Sequence, residues 1–251
     1  MVGIIFVFFF FFVAIFGLFY LNNDWDINEE DKRKKNIAYQ EILDAEKVQK
    51  GYSFEQIITQ LVSDKLKGAI VINNCILNKK SKSGKYIYFD GTIASKEFDV
   101  IVLSKKGLLV IEAKNFNQAF VSGNLTDRTW IASYSKKSIH NIYSPFKQVT
   151  EAVTTLKRYL PDYNFQRYVV FPDSTKISCN LKKTGQVLSL TEFGWLLDNL
   201  NNKPDSIEKN SINLIKELLI EENEKARSMF NGNGEDIHLE YVKKCRESQT
   251  A

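Results

Sequence analysis

Three charged residues frame the densest apolar stretch of the sequence: Asp99, Glu112 and Lys114. Between them run Val100–Leu103 and Leu108–Ile111, separated by Ser104-Lys105-Lys106-Gly107. β-branched residues on both sides of a Gly-ended polar tetrapeptide predict an antiparallel hairpin. Both runs are apolar at nearly every position, so the pair is expected to be central and covered on both faces. Glu112 and Lys114 are two apart and share a strand face. A two-residue loop at Lys105-Lys106 sets Asp99 opposite Glu112, and all three side chains then converge. A one-residue bulge at Gly107 would turn Asp99 to the other face. Two carboxylates and an ammonium in one pocket suit phosphodiester hydrolysis. Mg²⁺ takes oxygen ligands and keeps several waters, and it lowers the pKa of one of them. The ammonium can position that water or stabilise developing charge. A structural ion pair at a sheet end is the alternative use of the same residues.

The elements that must position this pocket can be read on either side. Gly51 ends one helix over 36–50, and Ser53-Phe-Glu-Gln56 forms a capping box opening another that runs to about Leu66. Glu55 lies in its first turn, where a carboxylate is favourable in any case. Ala69 to Leu77 is a strand. Lys79-Lys-Ser-Lys-Ser-Gly-Lys85 is a basic loop whose Lys79, Lys80, Lys82 and Lys85 can neutralise phosphates without reading sequence, or form a solvated turn. Tyr86–Phe89 suggests a strand, and short strands are expected at Ala119–Gly123 and Trp130–Tyr134, with Trp130 as a core anchor. Lys136, Lys137 and His140 fall in a loop. Ser144-Pro145 starts a helix with Pro at its first position, and Gln148, Ala152, Leu156 and Leu160 share its inner face. Strands follow at Tyr168–Phe171 and Val187–Leu190, then a short helix from Thr191. Alternation of this kind predicts an α/β fold, a mixed central sheet flanked by helices.

The sequence Asp-Val-Ile-Val-Leu-Ser-Lys-Lys-Gly-Leu-Leu-Val-Ile-Glu-Ala-Lys-Asn (99–115) resembles the core of the nuclease-related domain (NERD), a family of the PD-(D/E)xK restriction-endonuclease-like superfamily. Gly51 with Glu55, Gly123 with Trp130, and Pro145 with Gln148 extend the resemblance. Val100, Phe54 and Ser144 stand where the family often has His, Gly and Asn. The resemblance implies a restriction-endonuclease-like fold over residues 51–200. It also implies that Asp99 and Glu112 hold Mg²⁺, with Mn²⁺ as an alternative, and that Lys114 positions the attacking water. Glu55 is implied as an accessory carboxylate and Gln148 as a group orienting lysine or phosphate. DNA is the expected substrate, with RNA as the alternative. A catalytically inactive module binding nucleic acid or protein is the competing reading.

Composition is compatible with these expectations. The chain has 251 residues, a formal net charge of +4 and three Cys (75, 179, 245), too far apart for a Cys-x-x-Cys zinc site and odd in number for a disulfide framework. There is no phosphate-cradling Gly loop and no Ser/His/Asp arrangement. Val2 to Asn22 carries no charge and is mostly Phe, Ile, Val and Leu, matching the roughly 20 residues a membrane helix needs. No basic start or Ala-x-Ala site marks it for cleavage, so residues 1–22 are expected to be an uncleaved single-pass anchor. Lys32-Arg33-Lys34-Lys35, in the charged segment 23–50, then holds the soluble part in the cytoplasm. Beyond a linker at Asn201–Pro204, Asp205 to Met229 reads as an amphipathic helix that packs on the domain, pairs with a second copy, or binds a partner. The tail from Asn231 is expected to fray.

Overall fold

Runs of β-branched residues dictate the centre of the molecule. In the computed structural model, which describes residues 54–229 and 236–250, five of them form one sheet. These are β1 (Ile70–Asn78), β4 (Ser95–Ser104), β5 (Gly107–Ala113), β9 (Phe165–Phe171) and β11 (Val187–Ser189), in the spatial order β1-β4-β5-β9-β11. β4 runs antiparallel to both of its neighbours, β1 and β5, whereas β9 and β11 run parallel to β5. The sheet is therefore mixed, as the alternation of elements predicts.

Each face of the sheet has its own helical cover. On one face lies α2 (Pro145–Tyr159), whose Val149, Ala152 and Leu156 pack with Ile101, Leu108 and Val110. Ser144 caps it, its hydroxyl accepting from the Lys147 N–H, and Pro145 occupies the first turn. On the other face lies α1 (residues 54–65). Its Phe54, Ile58 and Val62, spaced four apart, meet Val100, Val102, Leu109 and Ile111. That layer also takes Phe193 and Leu197 of α4 (Leu190–Asn201), which opens on a capping box between Ser189 and Glu192. Leu108 to Ile111 are at most 1% exposed, so the hairpin is covered on both sides.

The connection from β5 to β9 supplies, before α2, three strands of a second sheet, which a short strand after β9 completes. This sheet consists of β6 (Phe120–Ser122), β7 (Thr129–Ser135), β8 (Ser138–Tyr143) and β10 (Lys176–Ile177), in the order β10-β6-β7-β8. Strand β8, which contains His140, replaces the loop expected there; its polar alternation hid it. Trp130 is fully buried and its indole N–H donates to the Asn124 carbonyl at 2.8 Å. Gly123, at φ +154°, lies so close that a Cβ would come within 2.5 Å of the Trp130 ring. The short hairpin β2 (Tyr88–Phe89) and β3 (Thr92–Ile93) and the four-residue helix α3 (Cys179–Lys182) complete this half.

The C-terminal part belongs to the same compact unit. Helix α5 (Lys209–Arg227) lies along β1 and buries Ile212, Ile215 and Leu219. It begins later than expected, because Asp205 pairs with Lys105 and Lys106 and the Ser206 N–H donates to the Lys105 carbonyl. Along the outer edge of β1, Asn223 Oδ1 accepts from the Ile76 N–H at 2.8 Å, and the Arg227 guanidinium donates to the Asn74 carbonyl. The expected frayed tail is instead helix α6 (Ile237–Thr250). His238, Glu240 and Lys244 tie it to Ser95, Thr92 and the Asp90 carbonyl. The expected anchor at 1–22, the segment 23–50 and Ser53 of the expected capping box lie outside the described residues. Among the described residues, no helix is long and apolar enough to cross a membrane.

Candidate active site

The β4–β5 turn has Ser104 paired with Gly107, leaving Lys105 and Lys106 as a two-residue loop. Pairing continues to Val100 opposite Ile111. One step further, Asp99 stands across from Glu112. Alternation along β5 puts Glu112 and Lys114 on the side of Leu108 and Val110, and along β4 it puts Asp99 on the side of Ile101 and Leu103. This is the register in which all three side chains share a face, the one that α2 covers.

The contacts are close. Lys114 Nζ lies 2.6 Å from Glu112 Oε1, and Lys96 Nζ lies 4.0 Å from Glu112 Oε2. The Ala113 N–H donates to Asp99 Oδ2 at 2.8 Å. Glu112 is 4% exposed, while Asp99 and Lys114 are half-buried. The Lys114 N–H continues the sheet to the Val170 carbonyl at 3.0 Å, which fixes the backbone of the lysine.

Electrostatics reports a site rich in negative charge. Burial, then the Glu112 carboxylate, pushes Asp99 up to about 7, against the pull of Lys114 and the Ala113 N–H. Burial alone would push Lys114 down, but Glu112 and Asp99 more than reverse it, so its ammonium is held above the ordinary lysine value. Glu55 is raised by burial and then by Glu97; its charge is felt at both Asp99 and Lys114. The first turn of α1 therefore brings Glu55 to the edge of the cluster, though among the described residues no hydrogen bond or ion pair holds its carboxylate.

Would these residues suit a divalent cation? Among the described residues, no three His, Cys, Asp or Glu side chains form a metal cage. What exists is a pair of hard oxygen donors, Asp99 and Glu112, whose mutual repulsion raises one of them. That donor set fits an ion that keeps most of its water and takes one or two carboxylates, which is the habit of Mg²⁺. A transition metal seeking imidazole or thiolate finds nothing here.

The remaining expected site residues are more dispersed. Gln148 is half-buried at the border of the α2 inner stripe, and its side chain makes no hydrogen bond to Asp99, Glu112 or Lys114. Lys82 and Lys85 are exposed at the tip of the basic loop. Lys80 is held by Glu222 at 3.1 Å and lies 3.9 Å from the centre of the Tyr159 ring. Lys79 donates to the Tyr241 hydroxyl at 3.2 Å. Two residues near the cluster escaped sequence reasoning. Lys96 faces Glu112, and Glu97 is held below the ordinary carboxylate range chiefly by its hydrogen bond with His238. Lys96 and Asp99 are three positions apart on one strand, a spacing that simple alternation would assign to opposite faces, so nothing in the sequence marks Lys96.

The family model of the nuclease-related domain, NERD, matches residues 50–172, which include α1, the β4–β5 hairpin and α2. No curated protein matches the chain. The crystal structure of AF1548, a protein of unknown function, aligns over 77% of this chain and 97% of its own at 13% identity. Its TM-score of 0.32 is too low to bear on fold or function.

Proposed function

With residues 50–172 belonging to the nuclease-related domain family, we propose that this chain is a metal-dependent nuclease hydrolysing phosphodiester bonds of DNA. The supporting observation is the cluster itself: Asp99 across from Glu112, with Lys114 Nζ 2.6 Å from the latter. In this reading the sheet is a restriction-endonuclease-like core, and Asp99 and Glu112 hold Mg²⁺. Bound there, the ion supplies Lewis-acid polarisation of a phosphoryl oxygen and a water of lowered pKa.

The chain's own groups have separable tasks. Lys114, its ammonium stabilised by two carboxylates, is protonated at neutral pH. It is therefore a donor, able to orient water or meet negative charge on phosphorus. Glu55, raised by burial and then by Glu97, is an accessory carboxylate at the edge of the cluster. Gln148 orients a phosphate oxygen or the lysine. Residues 1–22 anchor the enzyme in a membrane with the domain on the cytoplasmic side.

The deciding experiment incubates the purified full chain with linear duplex, circular duplex and single-stranded DNA, and with RNA, in Mg²⁺ or EDTA. Cleavage should require the metal and fail in Lys114→Ala. Equal cleavage by wild type and Lys114→Ala would sink the proposal. A second reading, a binding module without catalysis, draws on the engagement of Glu112 by both Lys114 and Lys96. It predicts binding that persists when Asp99 and Glu112 are neutralised.

A further inference from the structure

A cleft of about 240 Å³ opens between the basic loop and the outer face of α2. Thr150, Thr154 and Arg158 line it from the helix, one turn apart; Lys79, Lys80 and Ile87 line it from the other wall. Its charges are unequally compensated. Lys80 is balanced by Glu222; the Glu151 carboxylate, which also lines the cleft, accepts from the neutral Tyr143 hydroxyl at 2.6 Å and leaves the cations in excess by one. Among the described residues, Lys79 meets only the neutral oxygen and ring of Tyr241. Arg158 is exposed and has no acidic partner among the described residues. Two cations without such a partner thus stand on opposite walls. The space between them is apolar in character. Thr150 and Thr154 give their hydroxyl protons to the Phe146 and Thr150 carbonyls of their own helix, so these residues and Ile87 offer carbon to the cleft.

The cleft also has a defined place relative to the acidic cluster. β1 ends at Asn78, which is paired with Ser95, and the loop begins at Lys79. Asp99 is four residues further along β4, about 13 Å at roughly 3.3 Å per residue. The Tyr159 hydroxyl, bonded to the Asn78 carbonyl at 2.6 Å, ties the end of α2 to the same corner.

We infer that this cleft binds a sugar–phosphate unit of the nucleic-acid strand, next to the segment held at Asp99 and Glu112. The phosphate lies between Lys79 and Arg158, and the sugar and base lie against Ile87 and the threonine methyls. This rests on the nuclease reading, whose substrate it extends beyond the scissile bond. A mixed lining of cations and carbon matches a nucleotide better than it matches a bare anion, because apolar contact with sugar and base and phosphate neutralisation then act together.

The test measures binding of a fluorescein-labelled oligonucleotide to the full chain in EDTA, over a salt series. Arg158→Ala should weaken binding about fivefold and lower the slope of log K against log salt by about 1. Arg158→Lys should keep the slope. Thr154→Trp, which fills the cleft at an exposed helix position without changing charge, should weaken binding with the slope retained. Lys216→Ala, removing an exposed cation on α5, should change neither quantity. Arg158→Ala and Thr154→Trp both behaving like Lys216→Ala would overturn the inference, even if the chain cleaves DNA. Cleft-dependent binding with no cleavage by any form would instead defeat the nuclease reading alone.

Discussion

The carboxylate of Asp99 and the backbone of Ala113 are joined across the open end of the β4–β5 hairpin, the Ala113 N–H donating to Asp99 Oδ2 at 2.8 Å. Ala113 sits between Glu112 and Lys114, so the acid of one strand is oriented by the same backbone that carries the other two charges. Among the described residues, Oδ1 of Asp99 takes no hydrogen bond. The cluster is thus set by sheet geometry and depends little on side-chain freedom, which is the kind of rigidity a catalytic constellation needs.

Removing the ammonium should separate binding from chemistry. Lys114→Ala is expected to lower the rate of Mg²⁺-dependent cleavage by about 10²–10⁴. Affinity for an oligonucleotide in EDTA should stay within about threefold of wild type. Single-turnover kinetics and fluorescence anisotropy provide the two readouts, and a loss of affinity without a loss of rate would contradict the role given to Lys114.

Acidity makes a second prediction through Asp99. Its folded-state pKa of about 7 lies above the usual carboxylate value, so the folded protein holds a proton that the unfolded chain has already lost. The stabilisation is complete below about pH 4 and disappears as pH rises through 7. The melting temperature of the metal-free protein should therefore fall between pH 5 and pH 8, and fall less in Asp99→Asn. Saturating Mg²⁺ at pH 8 should raise it for wild type, by about 2.7 kcal/mol in stability at a hundredfold excess over Kd, and not for Asp99→Asn. Identical pH slopes in calorimetry for the two proteins would count against this account.

Lys96 offers a gain of function in metal affinity. Its ammonium is 4.0 Å from Glu112 and competes for the charge a cation would use. Lys96→Ala should tighten Mg²⁺ binding about two- to fivefold, as expected for losing one partly exposed ion pair. Isothermal titration of wild type and variant decides the matter; weaker binding in the variant would show that Lys96 supports the site.

Gly123→Ala should be costly far from the cluster. A Cβ there would meet the fully buried Trp130 ring at 2.5 Å. Overpacking of this kind costs about 1–3 kcal/mol, or roughly 2–12 °C in a domain of this size. Differential scanning calorimetry should register the drop, and Gly123→Ala melting with wild type would mean that the Trp130 ring moves aside freely.

The sheet centre was readable because its residues obey two simple periodicities. Val100–Leu103 and Leu108–Ile111 announce a strand pair covered on both faces, and the two-residue turn then fixes which way Asp99, Glu112 and Lys114 point. Trp130 and the Pro145 helix start were legible for similar local reasons. Other features depend on partners remote in sequence. Strand β8 alternates polar residues at a sheet edge, where no apolar stripe marks it. Helix α6 carries few apolar residues, and its order comes from contacts between His238, Glu240 and Lys244 and residues some 140 to 155 positions earlier. Lys96 became visible only through its distance to Glu112, which no spacing in β4 encodes.

The side chains of Asn223 and Arg227 occupy the backbone groups of Ile76 and Asn74 that a sixth strand would otherwise engage. Helix α5 thereby closes a boundary where the sheet could grow. A chain shortened before Lys209 would leave β1 as an open template for strand addition from another molecule. Two side chains of α5 thus take the place of a neighbouring strand on that edge.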